Sequence, residues 1–403
     1  MLIGVDRLSV YVVMMILSLL LIGSFIFNLL LNKYQISPVL LLILTGVILK
    51  FIAGFAHVNA VLSPQILSVF GTLGLITIVL EAVLDLQIHR DNRNELALSF
   101  ILALFIVLIS ALCIGVIIKS VYGLEFWSAL IYATPLAIVS SAIVIPSVGK
   151  LAPKLKDFLV FESIFSDIIG ILLFNFLVMV EFSHMASFWW FWGSLLLMLG
   201  FSFAISIPLA LLINHKRNHH QHIFILAVLV LLYSIAKYFH FSALILILIF
   251  GLTLSNLKMF FKKDFFEKIF HHDSLQNELN DMQKLTGELA FIIRTLFFVI
   301  FGYSLNLSLL LDFRVLLVGC LVVAVMYGIR YVSFWPFSRE NIYEKVYIAP
   351  RGLITVLLFY QIPEKFISNK FDAGLVFFVV IFSSIFMSGR LIMTGRKSLI
   401  VNE

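Results

Sequence analysis

The chain has 403 residues, of which 62% are hydrophobic and 12% charged, and its mean hydropathy is +1.10. That balance excludes a water-soluble globule and predicts an all-α polytopic membrane protein, because apolar runs of about 20 residues recur along the whole length. The net charge of +6 suggests an acidic partner at first sight, but the basic residues sit in short connections between apolar runs. They read as topology signals, and no nucleic-acid surface is expected.

Thirteen spans are predicted, at about 8–31, 37–55, 66–87, 96–119, 127–148, 157–181, 188–213, 222–237, 240–257, 288–309, 315–336, 342–362 and 371–391. The first run has no basic segment before it and is too long for a cleavable signal peptide. Connections after odd-numbered spans hold eighteen lysines and arginines, against six on the other side. The positive-inside rule therefore predicts an outside N-terminus and a cytoplasmic C-terminus, with a polar cytoplasmic loop over 258–287.

In chain order, span three ends with Glu81 and Asp85, the latter close to the cytoplasmic side where water can solvate it. Cys113 and Cys320 fall inside apolar spans and read as small hydrophobes, with no disulfide or metal role. Span five is interrupted by Thr134-Pro135, Ser140-Ser141 and Pro146. Span six carries Phe161-Glu162-Ser163-Ile164-Phe165-Ser166-Asp167. A carboxylate at that depth costs on the order of 3 kcal/mol unless it has a partner or a function. Five residues of helix separate Glu162 from Asp167, so they lie about 140° apart and face different neighbours. Ser163 shares the face of Asp167, and an acid beside a hydroxyl suits a small cation or a proton.

Arg294, Arg330 and Arg351 lie in spans ten, eleven and twelve, and a permanently charged guanidinium there needs a counter-charge or water. Glu162 with Arg351 is the expected buried pair, with Arg330 expected near Asp167. Span twelve is interrupted at Ala349-Pro350-Arg351-Gly352. Residues 37–181 and 240–391 are expected to form two inverted five-helix repeats, within a single transmembrane domain over 1–403. Each interrupted span is then the fourth of its repeat, the sequence pattern of a transporter site near the midplane.

These residues resemble those of the monovalent cation:proton antiporter superfamily, in particular the sodium/proton exchanger branch with thirteen helices. Glu162-Ser163 and Ser166-Asp167 are similar to its Glu-Ser-x-x-Asn-Asp stretch. Tyr347-Ile348-Ala349-Pro350-Arg351-Gly352 is similar to its Arg-Gly motif, and Tyr327-Gly328-Ile329-Arg330 and Glu81 also match. The resemblance implies that Asp167 binds cation and proton alternately, and that Glu162 pairs with Arg351. It also implies a bundle of spans four to six and eleven to thirteen moving against a scaffold that forms a homodimer. Two positions depart from the pattern: Ser166 replaces an asparagine, and Ser140-Ser141-Ala142 replaces Thr-Asp-Pro in the first interrupted span.

The expected function is secondary active sodium/proton antiport in the cell (inner) membrane, serving pH homeostasis. Asp167 would be the cation ligand, helped by Ser163, Ser166, Ser140, Ser141, Thr134 and Glu81, with Glu162, Arg351 and Arg330 balancing charge. With one carrier acid the exchange is expected to be electroneutral. Potassium/proton exchange or potassium efflux is the alternative, since the missing second acid changes the ion site. A membrane enzyme such as an acyltransferase is disfavoured, because no histidine or cysteine is placed for catalysis at a membrane face. No cofactor is expected beyond the transported ions.

Overall fold

In hydrocarbon every backbone N–H and C=O must find a partner within the protein, and a helix supplies almost all of them from its own segment. The computed structural model is accordingly helical, with no strand among the described residues, which are 10–34, 38–55, 64–84, 93–180, 185–215, 221–239, 243–256, 272–305, 310, 312–337 and 340–400. All thirteen predicted spans have helical counterparts. They are α1 (Val10–Tyr34), α2 (Pro38–Phe55), α3 (Pro64–Leu84), α4 (Arg93–Tyr122), α5 (Phe126–Ala137) with α6 (Ser141–Ser147), α7 (Pro153–Met179) and α8 (Met185–His215). They continue with α9 (Gln221–Tyr238), α10 (Ala243–Ser255), α11 (His272–Ser304), α12 (Phe313–Phe334), α13 (Ile342–Tyr347) with α14 (Leu353–Tyr360), and α15 (Gly374–Ile400). Six segments among the described residues are long and apolar enough to cross a membrane: Asn94–Tyr122, Phe126–Ser147, Trp189–Leu209, Leu279–Ser304, Phe313–Phe334 and Gly374–Thr394.

Two expectations need adjusting. The polar segment expected over 258–287 is helical from His272 onward, continuous with span ten, and its earlier residues lie outside the described ones, as does Asp85. Of the three places where span five is expected to be interrupted, it opens beside Ser140-Ser141 and not at Thr134-Pro135 or Pro146. Pro135 sits within the last turn of α5, Pro146 within α6, and the helix opens between them.

The chain divides into two units. The first takes Met1–Gly71, Ala97–Gly170 and Ile292–Glu403. In it α4 buries Ala103, Val107, Ser110, Ile114 and Ile118 on one stripe while exposing Ile101, Phe105, Leu112 and Val116 on the other. Both stripes are apolar, as a helix facing lipid on one side requires. Lipid is as apolar as leucine, so helices there associate through close backbone approach at small residues. Gly46 on α2 and Gly302 on α11 show this reciprocally: a Cβ on the first would run into the Val299 carbonyl, and one on the second into the Ile43 carbonyl.

The same unit holds a polar strap over residues 361–373. The Tyr132 hydroxyl donates to the Phe366 carbonyl (3.3 Å) and accepts from Ser368 N (3.0 Å), while its ring stacks on Phe371 at 4.2 Å.

The second unit comprises Thr72–Leu96 and Ile171–Phe291. There α10 is buried along nearly its whole length and packs on α8 and α9. Gly251 allows α10 to lie against Leu80 and Val83 of α3. Trp189, Trp190 and Trp192 at the start of α8 are exposed, as amphipathic rings at a membrane–water interface are.

Candidate ion-binding site

The two interruptions of the first unit meet. Between α5 and α6 the backbone is extended, with Ile138 at φ −76°, ψ 130° and Ser140 at φ −83°, ψ 111°. Its N–H groups leave the helical ladder and have to be satisfied elsewhere. Val139 N donates to the Ser166 hydroxyl (2.9 Å), Ser140 N to the Pro350 carbonyl (2.9 Å) and Ser141 N to Asp167 Oδ2 (3.1 Å). The middle bond is the crossing itself, since Pro350 belongs to the other interrupted span. Side chains of α7 hold the residues on either side of it.

In the second interruption, between α13 and α14, Arg351 sends its side chain back across the first. Its Nε donates to the Leu136 carbonyl (2.9 Å), Nη2 to Ala137 (3.2 Å) and Nη1 to Ala349 (2.7 Å), and its backbone N donates to Ser383 Oγ (2.9 Å). Leu136 and Ala137 are the last residues of α5, where carbonyls have no helical partner and the helix dipole ends negative. One fully buried guanidinium thus satisfies the end of one half-helix and a carbonyl of the other break.

Glu162 pairs with Arg330, correcting both arginine expectations. Arg330 Nη1 lies 2.7 Å from Glu162 Oε1 and Nη2 3.1 Å from Oε2, a two-pronged pair with side chains 0% and 1% exposed. The rest of the guanidinium caps the end of α13, through the Lys345 carbonyl (2.6 Å from Nη2) and the Val346 carbonyl (3.2 Å from Nε). Arg351 is unavailable to Glu162 because backbone carbonyls occupy it. Arg330 is unavailable to Asp167 for a matching reason.

The two acids of α7 therefore face different elements. Among the described residues no cationic side chain lies within ion-pair distance of Asp167, and Ser141 is its partner, donating its N–H to Oδ2 (3.1 Å). Oδ1 has no partner, nor have the hydroxyls of Ser140, Ser141 and Thr355, and all four atoms are buried. Such groups normally find a partner in a folded protein. Gly352 keeps the space beside Ser140 open: a Cβ on it would lie 2.6 Å from Ile143 Cδ1 and 2.8 Å from Ser140 Oγ.

The other expected ligands are placed differently. Thr134 donates to the Leu130 carbonyl (2.8 Å) and Ser163 to the Val160 carbonyl (2.9 Å), so both hydroxyls are turned onto their own helices. Ser166 holds the break through Val139 N. Glu81 lies in the second unit, with its Oε1 3.6 Å from where a Cβ on Gly287 would sit. Sequence reading overlooked Ser383, which fixes the Arg351 backbone, and Thr355. The only available signal for Thr355 was a hydroxyl one helical turn past the Arg-Gly pair. Among the described residues no group of three or more histidine, cysteine or acidic side chains is placed to hold a metal ion.

Crossed, interrupted helices around a buried carboxylate define a multi-pass membrane transporter of the secondary active class. The chain belongs to the sodium/hydrogen exchanger family, whose transmembrane region matches residues 16–394. Its fold is similar to that of the sodium proton antiporter MjNhaP1 from Methanocaldococcus jannaschii at pH 8, with a TM-score of 0.70 and 20% identity over 95% of this chain and 100% of that one. An electron-microscopy structure of the same antiporter gives a TM-score of 0.64 at 20% identity, covering 96% and 98% of the two chains. No curated protein matched by sequence.

Proposed function

We propose that this transporter exchanges sodium for protons one for one, with Asp167 as the shared carrier. The observation that carries this reading is the Asp167 carboxylate, buried with no cationic partner among the described residues and with Oδ1 unbonded, as are the hydroxyls of Ser140 and Ser141. A single carboxylate holds one proton or one monovalent cation. Either state leaves the site neutral, and the empty charged state is the one burial penalises. Deprotonation admits the cation and protonation expels it, so each species crosses only in exchange for the other. Glu162 is held by Arg330, and Arg351 by backbone carbonyls, so neither competes for the ion.

The same reading places the protein in the cell membrane as a homodimer, N-terminus outside and C-terminus in the cytoplasm, with 37–181 and 240–391 as the inverted repeats. The test follows proton movement with a pH-sensitive dye in inverted vesicles, on addition of sodium, lithium or potassium salts. Wild type is expected to respond to sodium, and Asp167→Asn, which keeps shape but not charge, to lose the response while still inserting. Exchange at the wild-type rate in Asp167→Asn would overturn the assignment. A response to potassium alone would select potassium/proton exchange.

A further inference from the structure

Threonine in a helix normally returns its hydroxyl proton to the carbonyl four residues earlier. Thr45, Thr77, Thr134, Thr286 and Thr394 all do so here, onto Leu41, Leu73, Leu130, Met282 and Arg390. Thr355 does not. Its residue four earlier is Arg351, which lies in the extended break before α14 and has no helical carbonyl to offer. The Gly352 carbonyl, three residues earlier, accepts from Val356 N instead (3.2 Å). The Thr355 hydroxyl is left unbonded in a side chain that is 0% exposed.

Its surroundings give that hydroxyl a use. Gly352, the residue that caps the start of α14, lies against Ser140, since its Cβ position is 2.8 Å from Ser140 Oγ. The bond from Val356 N to the Gly352 carbonyl closes the first turn of α14, so Thr355 belongs to the turn that begins beside Ser140. Ser140 Oγ, Ser141 Oγ and Asp167 Oδ1 are the other unbonded buried oxygens of the crossing. A hydroxyl oxygen has two lone pairs, and hard monovalent cations are desolvated by just such rings of neutral oxygens around a limited charge.

We propose that Thr355 is a cation ligand of this site, its hydroxyl oxygen joining those of Ser140, Ser141 and Asp167 around the transported ion. The second interrupted span then contributes to ion selection as well as to charge balance. A hydroxyl from α14 supplies a contact in a chain whose first break has no acid. This inference rests on Asp167 being the ion carrier.

The test compares wild type with Thr355→Val, which keeps shape and removes the oxygen, in proteoliposomes titrated with sodium chloride. Loss of one oxygen contact to a charged ion is expected to raise the apparent sodium KM about tenfold. Without sodium the variant is expected to melt no lower than wild type, because the hydroxyl it loses has no partner. The stabilisation gained on adding sodium should shrink, and Thr355→Ser should restore both. Thr355→Ala carries the same expectation for KM and replaces valine should that variant not accumulate, its melting temperature being compared with that of Thr355→Ser because both lack the buried methyl. A wild-type sodium KM in Thr355→Val or Thr355→Ala overturns the proposal, as does a lowered melting temperature with an unmoved KM. If Asp167→Asn abolishes exchange while the Thr355 variants keep their KM, the Thr355 assignment alone fails. If Asp167→Asn exchanges normally, the reading of the whole site fails.

Discussion

The two interruptions cross at one backbone hydrogen bond, yet they differ in charge. The first, at residues 138–140, has no charge of its own and takes support from its neighbours, through Ser166, Asp167 and Pro350. The second, at 348–352, carries a proline that lacks an N–H and an arginine that reaches outward to the end of α5. Both breaks receive side chains, the second that of Ser383 and, at its α13 edge, that of Arg330, but only the second sends one out. Arginine stays protonated at any working pH, so the carbonyl ends it covers keep a constant charge balance. In the proposed cycle, variation in charge is confined to Asp167 beside the first break.

That asymmetry is open to attack, most severely at Arg351. Arg351→Met would leave the carbonyls of Leu136, Ala137 and Ala349 buried without donors, at a cost of about 3–5 kcal/mol. A steep fall in melting temperature in detergent is expected, with Arg351→Lys only partly better because it lacks the planar fork. An unchanged melting temperature would mean the donating break is dispensable.

Next in size is the pair below the crossing. Glu162→Gln and Arg330→Gln should each cost about 3–5 kcal/mol by stranding a buried charge, and the double change should recover part of it. Glu162→Gln combined with Arg351→Met should show no such recovery. Thermal unfolding of the four variants decides the partner, and coupling to Arg351 in place of Arg330 would reverse the assignment.

A smaller effect is expected from the space between the breaks. Gly352→Ala pushes a methyl group against Ile143 and Ser140, costing about 1–3 kcal/mol and reducing exchange. Gly328→Ala on α12 meets nothing within 4 Å, so it should stay within about 0.5 kcal/mol of wild type. Equal behaviour of the two would mean the breaks are not closely packed.

The smallest expected effect is none. With one carrier acid, clamping proteoliposomes at different potentials should leave the zero-flux ion gradient unchanged. A shift with voltage would mean net charge moves, and would point to Glu81 as a second carrier.

Much of the fold was legible because a membrane helix declares itself by length and apolarity, whatever it packs against. The existence of both breaks was legible too, from Pro135 and Pro350. The second falls at Pro350 and Arg351 as expected, and the first beside Ser140 and not at Pro135, because a proline removes one N–H whereas a break needs partners for several. Span five opens where Ser166, Pro350 and Asp167 supply those partners, three residues past Pro135. The separation of Glu162 and Asp167 onto two faces followed from helical geometry alone. Their neighbours did not, since arginine accepts backbone carbonyls as readily as carboxylates and a sequence does not reveal which carbonyls are free. Thr355 was hidden for the same reason: its hydroxyl is unusual only once the carbonyl four residues earlier is known to lie outside the helix.

The bond from Ser140 to Pro350, together with the grip of Arg351 on Leu136 and Ala137, has a mechanical consequence. The four half-helices cannot slide past one another without tearing several buried hydrogen bonds at once. They behave as a single stiff knot tied by its own main chain. In the proposed cycle, an ion held there would have to come and go with the knot still tied.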